Sequence, residues 1–305
     1  MQLLILKMNI ARQIRYQILS DLHLENIVQL LTTKSAKSRF HELIRRKYFC
    51  EHCAIFTPPP LTPYLFLAGD IGSPLDPNYT EFMKYCSANF KRVFLVTGNH
   101  EYHLSHPSSI YSKIQNWNKS IDVKIQFILQ KNKLHNIHFL QANHHYPQSN
   151  SYPQLNNHFS ICGTTLWTPI TDSLKNRGYD MRVIPQWSTE VRNSLYRQHA
   201  DYLLKTIATI TNKPLIIMTH HLPSHSLLLP SYEKSNLVQL YSSQLWDTIN
   251  STNISRWIYG HTHQSSDNLR KEREINRVFE ANPLGSVEKK TIDEIEEIFT
   301  RVFTI

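Results

Sequence analysis

The sequence predicts an α/β fold, because short apolar segments typical of buried strands alternate along the chain with segments of helical character. The apolar segment Tyr64–Ala68 is followed by a helical segment, Tyr79–Phe90, and then by a second apolar segment, Lys91–Val96. Asp, His and Asn residues directly follow several of the apolar segments. A strand–helix–strand unit of this kind is typical of a parallel sheet whose carboxyl edge carries the functional site.

The first predicted strand, Ile14–Ser20, is separated from the next by a long polar segment. This segment, residues 26–60, has apolar residues at helical spacing and ends in Thr57–Pro60. Proline lacks a backbone donor and fixes φ, so it stops any helix at that point. We expect residues 26–60 to be a helical excursion beside the site, with its role left open.

The alternation of strand and helix continues towards the C-terminal part of the chain. Trp187–Ile210 is a long amphipathic segment that predicts a helix, and Ser243–Ile249 predicts a shorter one. Leu104–Lys119 predicts a helix with a loop, and Asn143–Asn157, which is rich in Pro, Asn and Gln, predicts a loop. The further predicted strands are Ile137–Leu140, Phe159–Gly163, Leu215–Met218, Arg256–Tyr259 and Arg277–Glu280.

The composition is that of a globular protein, since 41% of the 305 residues are hydrophobic and 11% are aromatic. We expect a single domain over residues 1–305, because no internal repeat or low-complexity segment interrupts the pattern. No apolar run reaches the roughly 20 residues that a membrane-spanning helix needs. Met1–Arg12 also lacks the layout of a signal peptide. The sequence therefore predicts a cytoplasmic protein without a membrane partner, and it leaves the oligomeric state open.

The formal net charge of +9 could indicate a nucleic-acid partner. The basic residues are spread along the chain apart from Arg45–Lys47 and Lys131–Lys133, so a solvated surface is the favoured interpretation. A small phosphate-bearing substrate would also be attracted by this charge. Four cysteines are too few for a disulfide framework. Cys50 and Cys53 have the spacing of a redox pair or half a zinc site, but no second ligand pair is obvious, so coincidence is favoured.

Five polar clusters directly follow predicted strands and together suggest a dinuclear metal centre. Asp, His and Asn without thiolates suit Zn²⁺, Mn²⁺ or Fe. Two ions need several ligands and a carboxylate able to bridge them, for which Asp70 is the natural candidate. The neutral Asn99 would keep such a site cationic enough to hold phosphate oxygens. The candidate ligands are Asp21, His23, Asp70, Asn99, His220, His261 and His263.

The chemistry expected of such a centre is hydrolysis of a phosphate ester. A hydroxide that bridges two metals could attack phosphorus in line, while the metals stabilise the oxygens of the displacement. His100 directly follows the candidate ligand Asn99. From that position it could protonate the leaving oxygen or stabilise charge on the phosphoryl group.

The order of these clusters resembles that of the calcineurin-like metallophosphoesterase superfamily. The motifs Asp-x-His, Gly-Asp, Gly-Asn-His-Glu, a strand-end His and Gly-His-Thr-His occur in that order between Ile14 and about Pro283. The resemblance implies a four-layer α/β/β/α sandwich of two mixed sheets flanked by helices, with two metals that hydrolyse phosphomonoesters or phosphodiesters. Stretches that resemble a bacterial-type branch are Ser20–Glu25, Gly69–Gly72, Gly163–Thr168, Thr219–Ser224 and Asn282–Pro283.

The resemblance also implies a role for each candidate residue. His100 would be the catalytic histidine. The first metal would be held by Asp21, His23, Asp70 and His263. The second metal would be held by Asp70, Asn99, His220 and His261.

The sequence departs from this pattern in places that concern the substrate. Gly69–Asp70 continues into Ile71–Pro74 and not into the acidic, Arg-containing signature of protein Ser/Thr phosphatases, which disfavours phosphoprotein substrates. His103 and Leu284–Ser286 also differ from the usual residues of relatives. The choice between monoester and diester therefore stays open.

Several alternatives remain at this point. His221 follows the same strand as His220 and could replace it as ligand, although family position favours His220. Contributions of His225 to substrate contact and of Asp267 to orienting a ligand also remain open. The alternative functions are a catalytically weak scaffold or binding protein, and a nuclease or cyclic-nucleotide phosphodiesterase directed at nucleic acid.

Overall fold

The computed structural model describes residues 13–104, 117–142, 153–155, 158–233, 235–267 and 278–305. The predictions for Met1–Arg12, for most of Leu104–Lys119 and Asn143–Asn157, and for Arg277 lie outside these residues.

The first sheet has five strands in the order β12–β1–β4–β5–β6. Strands β1, β4, β5 and β6 are parallel to one another, whereas β12 pairs antiparallel with β1. Their bounds are β1 Arg15–Leu19, β4 Tyr64–Ala68, β5 Arg92–Val96, β6 Ile137–Phe139 and β12 Phe303–Thr304.

The second sheet also has five strands, in the order β11–β10–β9–β8–β7. Strands β8 to β11 run parallel, and β7 pairs antiparallel with β8. Their bounds are β7 Gln154–Leu155, β8 Phe159–Thr164, β9 Leu215–Thr219, β10 Ile254–Ile258 and β11 Phe279–Glu280. Both sheets are therefore mixed, as the predicted fold class requires.

The two sheets pack face to face because alternate side chains of a strand point to opposite sides. Phe66 and Phe94 of the first sheet share one buried cluster with Ile216 and Met218 of the second. Leu67, next to Phe66, points the other way into a cluster formed with the helices. Apolar residues on both sides of each strand explain why these segments read as near-continuous apolar runs.

Helices cover the outer faces and complete the predicted α/β/β/α sandwich. Side chains from α1, α2, α3, α4 and α8 pack on the first sheet, and side chains from α6 pack on the second. The short helices α5 and α7 precede α6 and follow β9, respectively. The bounds are α1 Leu24–Leu30, α2 Lys34–Arg45, α3 Pro77–Asn89, α4 Trp117–Lys131, α5 Asp180–Val183, α6 Thr189–Thr209, α7 Pro230–Glu233 and α8 Ile292–Thr300.

The excursion at residues 26–60 is only partly helical. After α2 the chain forms a two-stranded hairpin, β2 (Phe49–Cys50) and β3 (Ile55–Phe56). The rings of Phe49 and Phe56 contact each other, and Phe56 contacts Phe299 of α8, so tertiary packing overrides the local helical tendency. Cys50 and Cys53 lie in this hairpin and are free thiols.

One other helix prediction differs from the structure. The predicted helix Ser243–Ile249 is reduced to one 3-10 turn, Trp246–Thr248. The backbone N–H of Ser243 donates to the Leu222 carbonyl and its hydroxyl caps Leu245 N, and such local bonds compete with an α-helix. None of the described helices combines the length and apolar character needed to cross a membrane.

Helix α4 carries a partly buried carboxylate, Asp122, on the side that faces the chain after β5 and β6. Asp122 accepts a hydrogen bond from the Tyr102 hydroxyl at 2.8 Å, and the Gln141 amide lies 3.4 Å from the same oxygen. Burial raises the pKa of Asp122 to about 7. Folding therefore favours the protonated form of this group between its ordinary pKa and about 7.

We expect Asp122→Asn to stabilise the protein at neutral pH. Because the pKa of Asp122 is higher in the folded protein, the free energy of unfolding of the wild type falls as the pH rises from about 4 to about 7. The amide of asparagine does not ionise and so causes no such fall. The variant should gain up to about 4 kcal/mol at pH 8, since one pKa unit corresponds to about 1.4 kcal/mol. Urea unfolding of metal-free protein across this pH range measures the difference.

The control is Asp201→Asn, which neutralises an exposed carboxylate on α6. A difference between Asp122→Asn and wild type that stays constant from pH 4 to pH 8 would contradict the interpretation.

Candidate metal centre

The candidate ligands lie just beyond the carboxyl ends of parallel strands of both sheets. Asp21 follows β1, Asp70 follows β4 and Asn99 is close after β5 in the first sheet. His220 directly follows β9, and His261 is close after β10 in the second sheet. Because the sheets pack face to face, these ends meet at one edge of the sandwich. The remaining two candidates, each two residues further along, are His23 and His263.

Five of the seven candidates have a left-handed backbone, which side chains other than glycine rarely adopt. Each such conformation costs about 1–3 kcal/mol and persists only where the surrounding structure enforces it. These tight turns direct consecutive polar side chains towards the same point. The five residues, with φ between 49° and 73°, are Asp21, His23, Asp70, His261 and His263.

One cluster is formed by Asp21, His23 and His263, whose possible ligand atoms all lie within 4.8 Å of one another. His263 Nε2 lies 3.4 Å from Asp21 Oδ1 and 3.1 Å from His23 Nε2. The carboxylate of Asp21 also accepts the backbone N–H of His261, at 3.1 Å. Asp21 thus follows a strand of the first sheet and is hydrogen-bonded to the chain segment that follows β10 of the second sheet.

A second cluster is formed by Asp70, His220 and His261, with the same mutual reach of 4.8 Å. His220 Nε2 lies 3.2 Å from Asp70 Oδ2, from His261 Nδ1 and from Asn99 Oδ1. The other ring nitrogen of His220 donates to the Ala68 carbonyl at 2.8 Å. This bond orients the ring, so Nε2 is the nitrogen that faces the cluster and that would bind a cation after losing its proton.

The amide of Asn99 is oriented by a buried ion pair. Its Nδ2 donates to Asp180 Oδ1 at 2.9 Å, which turns the amide oxygen towards His220. Asp180 pairs with the buried Arg192 at 3.0 Å and accepts from His103 Nε2 at 2.8 Å. Burial opposes ionisation of Asp180, but His103 and Arg192 outweigh it and lower its pKa well below the usual range.

The protonation states of Asp21, Asp70 and His261 suit a cation. Burial lowers the pKa of His220, but the charge of Asp70 raises it to about 9, so this ring must release a proton to bind a metal. Burial raises the pKa of Asp21, but the hydrogen bond and charge of His263 lower it to about 2. The pKa of Asp70 falls well below its usual value because the charges of His220 and His100 outweigh burial. Burial and the charge of His220 lower the pKa of His261 to about 3, so this imidazole is neutral.

The histidine pairs provide a direct test of whether the residues fit a metal. Two imidazole nitrogens that face each other at 3.1–3.2 Å can form a hydrogen bond only if one of them carries a proton. A cation between such nitrogens and the nearby carboxylates satisfies all the lone pairs at once and displaces that proton. The Nε2 atom of His261 is moreover buried without a hydrogen-bond partner among the described residues. The arrangement fits ions that favour imidazole and carboxylate ligands, such as Zn²⁺, Mn²⁺ or Fe.

The carboxylate of Glu101 joins the ends of β4 and β5. Its Oε2 accepts the backbone N–H groups of Gly98 at 2.7 Å and Asp70 at 3.0 Å, and its Oε1 accepts that of Ile71 at 2.8 Å. Burial and the charge of Asp70 raise the pKa of Glu101 to about 7. This side chain holds the turn of Asp70 against the turn that carries Asn99 and His100.

The close approach of these two turns requires glycine at Gly98. A β-carbon there would overlap the Asp70 carboxylate and would lie 2.7 Å from Cε1 of His220. Any larger residue would therefore displace two candidate ligands.

His100 is paired with a carboxylate and, with His23 and Glu25, forms a third group whose possible ligand atoms lie within 4.8 Å of one another. Its backbone N–H donates to Asp70 Oδ1 at 2.7 Å, and its Nδ1 lies 2.8 Å from Glu25 Oε1. Glu25 also lies 3.4 Å from Nδ1 of His23. Burial lowers the pKa of His100, but the charge of Asp70 and the hydrogen bond to Glu25 raise it to about 10. His100 is therefore an imidazolium that can donate a proton.

The residues left open by the sequence take other places. His221 Nδ1 lies 3.3 Å from the Thr165 carbonyl, and the His221 ring packs between Trp167 and His261. His225 forms a 2.6 Å hydrogen bond with Ser242, and Asp267 forms an ion pair with Arg301. The structure therefore brings His220, and not His221, into contact with Asp70 and Asn99.

Sequence reasoning missed four side chains that orient the candidate site. Glu25 stands two residues after His23 and Glu101 directly after His100, so their position in the motifs was a usable signal. Asp180 and Arg192 are distant in sequence from the residue they orient. No local pattern marks them.

Comparisons with known proteins identify the family of this chain and agree with its fold. A sequence model of the calcineurin-like phosphoesterase family matches residues 14–265. Uncharacterized protein L509 of Acanthamoeba polyphaga mimivirus is 28% identical over 279 residues, covering 84% of this chain and 86% of that protein. The crystal structure of phosphopantetheinyl hydrolase from Mycobacterium tuberculosis matches with a TM-score of 0.57 at 13% identity and covers 97% of both chains. At such low identity, the structural likeness shows the fold alone.

We expect Glu101→Gln to lower both stability and metal affinity. The amide nitrogen of glutamine would face a backbone N–H that the carboxylate now accepts, which costs about 1–3 kcal/mol. Displacement of the Asp70 turn should weaken metal binding by about tenfold or more. Urea unfolding and titration with Zn²⁺ or Mn²⁺ at pH 8 measure the two effects.

The matched control is Glu297→Gln on the exposed side of α8. Wild-type stability and metal affinity in Glu101→Gln would exclude a structural role for the bonds that its carboxylate accepts.

Proposed function

We propose, since this chain belongs to the calcineurin-like phosphoesterase family, that it hydrolyses phosphate esters with two divalent metal ions. Membership makes the chain a metal-dependent phosphoester hydrolase. The number of ions and the roles of single residues are our proposal. The observation that supports it best is the convergence of the two ligand clusters at one edge of the two sheets, with the ring of His100 against His23 and its backbone N–H bonded to Asp70.

Two overlapping ligand sets follow from the clusters. Asp70 would bridge the ions, because its Oδ2 lies 3.2 Å from His220 of the second cluster and its Oδ1 accepts the backbone N–H of His100, whose ring contacts His23 of the first cluster. The set for the first ion is Asp21, His23, Asp70 and His263. The set for the second ion is Asp70, Asn99, His220 and His261. All four ligands of the first set, and three of the four ligands of the second, are carboxylates or imidazoles, which Zn²⁺, Mn²⁺ and Fe favour.

When bound, the two ions would supply positive charge for the phosphoryl oxygens and would lower the pKa of water. The charge and orientation of the groups around the ions would come from residues of the chain. Asn99 contributes an oxygen without negative charge, and Asp180 holds that oxygen in place through the amide nitrogen. The substrate phosphate therefore meets less electrostatic repulsion than it would beside a further carboxylate.

His100 would act as the general acid. Glu25 accepts from its Nδ1, so the opposite ring nitrogen, Nε2, is left to face the substrate. A proton on Nε2 could pass to the leaving oxygen as the bond to phosphorus breaks. Glu25 is in this proposal a positioning residue, which orients His100 and stabilises its charge.

The first test is a hydrolysis assay on protein stripped of metal by a chelator. We expect turnover of an aryl phosphate ester only after one of Mn²⁺, Zn²⁺, Mg²⁺ or Fe²⁺ is added back. Asp70→Asn and Asn99→Ala should lose bound metal and activity together, because each removes a ligand. Elemental analysis of the purified variants measures the metal.

Asp201→Asn serves as the matched control for this test. Metal binding without turnover of any ester would favour the scaffold alternative, and full activity in Asp70→Asn would contradict the ligand assignment.

The second test separates the acid role of His100 from metal binding. His100→Asn should lower kcat by about 10²–10⁴-fold for an alkyl ester, whose leaving oxygen needs a proton. The loss should be much smaller for a 4-nitrophenyl ester, whose leaving group departs as a stable anion. Metal content should stay at the wild-type level.

His41→Asn, an exposed histidine on α2, is the control. Equal losses for both leaving groups would show that His100 does not donate the proton.

A further inference from the structure

Two pockets open beside the candidate metal centre, and His263 lines both of them. We call the first the tyrosine pocket. It has a volume of about 260 Å³ and is lined by Leu228, Leu229, Tyr232, Tyr241 and residues 261–264. We call the second the α1 pocket, with a volume of about 450 Å³. A phosphate held at the metal centre would therefore have a separate cavity on either side.

The tyrosine pocket has the character of a site for an apolar or aromatic group. The Tyr241 ring lies 5.4 Å from that of His261, and the Tyr232 ring lies 6.1 Å from that of Tyr241. Tyr232 is 49% exposed, so its ring stands at the mouth of the pocket. Two leucines add aliphatic surface to the wall, to which the chain segment 261–264 contributes Thr262 and Gln264. No Asp, Glu, Lys or Arg is among the described lining residues. Rings and aliphatic side chains favour burial of apolar surface.

The α1 pocket differs in its chemistry and in its access to His100. His23 and His100 line this pocket, and neither lines the tyrosine pocket. Its wall includes Asn26, Gln29 and Thr33 from α1 and the turn after it, so part of the excursion borders the site. A general acid must lie within hydrogen-bond reach of the leaving oxygen. The leaving group of the substrate therefore belongs in the α1 pocket.

We propose that the preferred substrate is a phosphodiester whose retained ester group is apolar or aromatic and occupies the tyrosine pocket. This inference rests on the proposed hydrolase function. A phosphomonoester has one organic group, which would lie near His100 and leave the tyrosine pocket to solvent. A diester fills both pockets, and the apolar surface buried in the tyrosine pocket would contribute to binding.

The test compares two diesters that share a 4-nitrophenyl leaving group. In phenyl 4-nitrophenyl phosphate the retained group is aromatic, and in methyl 4-nitrophenyl phosphate it is a methyl group. With metal-loaded wild-type protein, we expect kcat/KM to be about tenfold higher for the phenyl diester after correction for its intrinsic reactivity. In Tyr232→Ala and in Tyr241→Leu the ratio between the two diesters should fall towards one.

The control is Phe127→Ala, which removes an equally exposed ring, 52% accessible on α4, that lines neither pocket. It should keep the wild-type ratio. Circular dichroism checks that each variant is folded. The ratio of kcat/KM between the two diesters is unaffected by a general loss of activity, which lowers both values equally.

A binding measurement without turnover complements the kinetics. Methyl(phenyl)phosphinate and dimethylphosphinate differ by one ring and have no ester bond to hydrolyse. Calorimetric titration of the metal-loaded protein should give about tenfold tighter binding for the phenyl compound. Tyr232→Ala should remove this advantage.

The outcomes distinguish this inference from the proposed function. Diester turnover with equal kcat/KM for phenyl and methyl groups would overturn the tyrosine-pocket assignment, and so would an unchanged ratio in both tyrosine variants. Turnover of 4-nitrophenyl phosphate with none of either diester would overturn the diester preference while the hydrolase function stands. Absence of metal-dependent turnover of any ester would overturn the proposed function itself.

Discussion

The carboxylate of Glu101 is the constraint on which the candidate site depends. It accepts three backbone N–H groups, two from the turn after β4 and one from the turn after β5, and so holds these two turns together. The contact between Gly98 and Asp70, the bond from the His100 backbone to Asp70 and the position of Asn99 all follow from this approach. Burying a charge is costly, and three hydrogen bonds to that charge offset much of the cost.

The left-handed residues have a related explanation. Their conformations are unfavourable in an isolated chain, so the fold must stabilise them elsewhere. The backbone N–H of Asp21 donates to the Gly69 carbonyl and that of His23 to the Asp70 carbonyl, which links the turn after β1 to the turn after β4. The backbone of His261 donates to the Asp21 carboxylate. Hydrogen bonds between neighbouring turns therefore stabilise the left-handed backbone of each turn. This backbone conformation directs the polar side chains towards one another.

The sequence predicted the bounds of the strands at the centre of each sheet within one or two residues. These strands, such as Tyr64–Ala68 and Leu215–Thr219, are buried on both faces, so they appear in the sequence as apolar runs. It also indicated which polar residues come together beyond the strand ends, since each lies within five residues of the end of its strand. It could not predict the hairpin of Phe49 and Phe56, which forms because α8 offers Phe299 as a packing partner. Nor could it predict that Asp180 and Arg192 orient Asn99, because side chains far apart in sequence leave no periodic signal. The tyrosine pocket was missed for the same reason.

The division of the ligands between the two sheets has a thermodynamic consequence. Asp21, His23, Asp70 and Asn99 come from the first sheet, and His220, His261 and His263 from the second. Ions held by both groups would fasten the sandwich along one edge, in addition to the apolar layer between the sheets. Because the unfolded chain offers no such preformed site, the unfolding equilibrium would shift with the logarithm of the free metal concentration. The strength with which the two sheets are held together would then depend on the supply of metal in the cell.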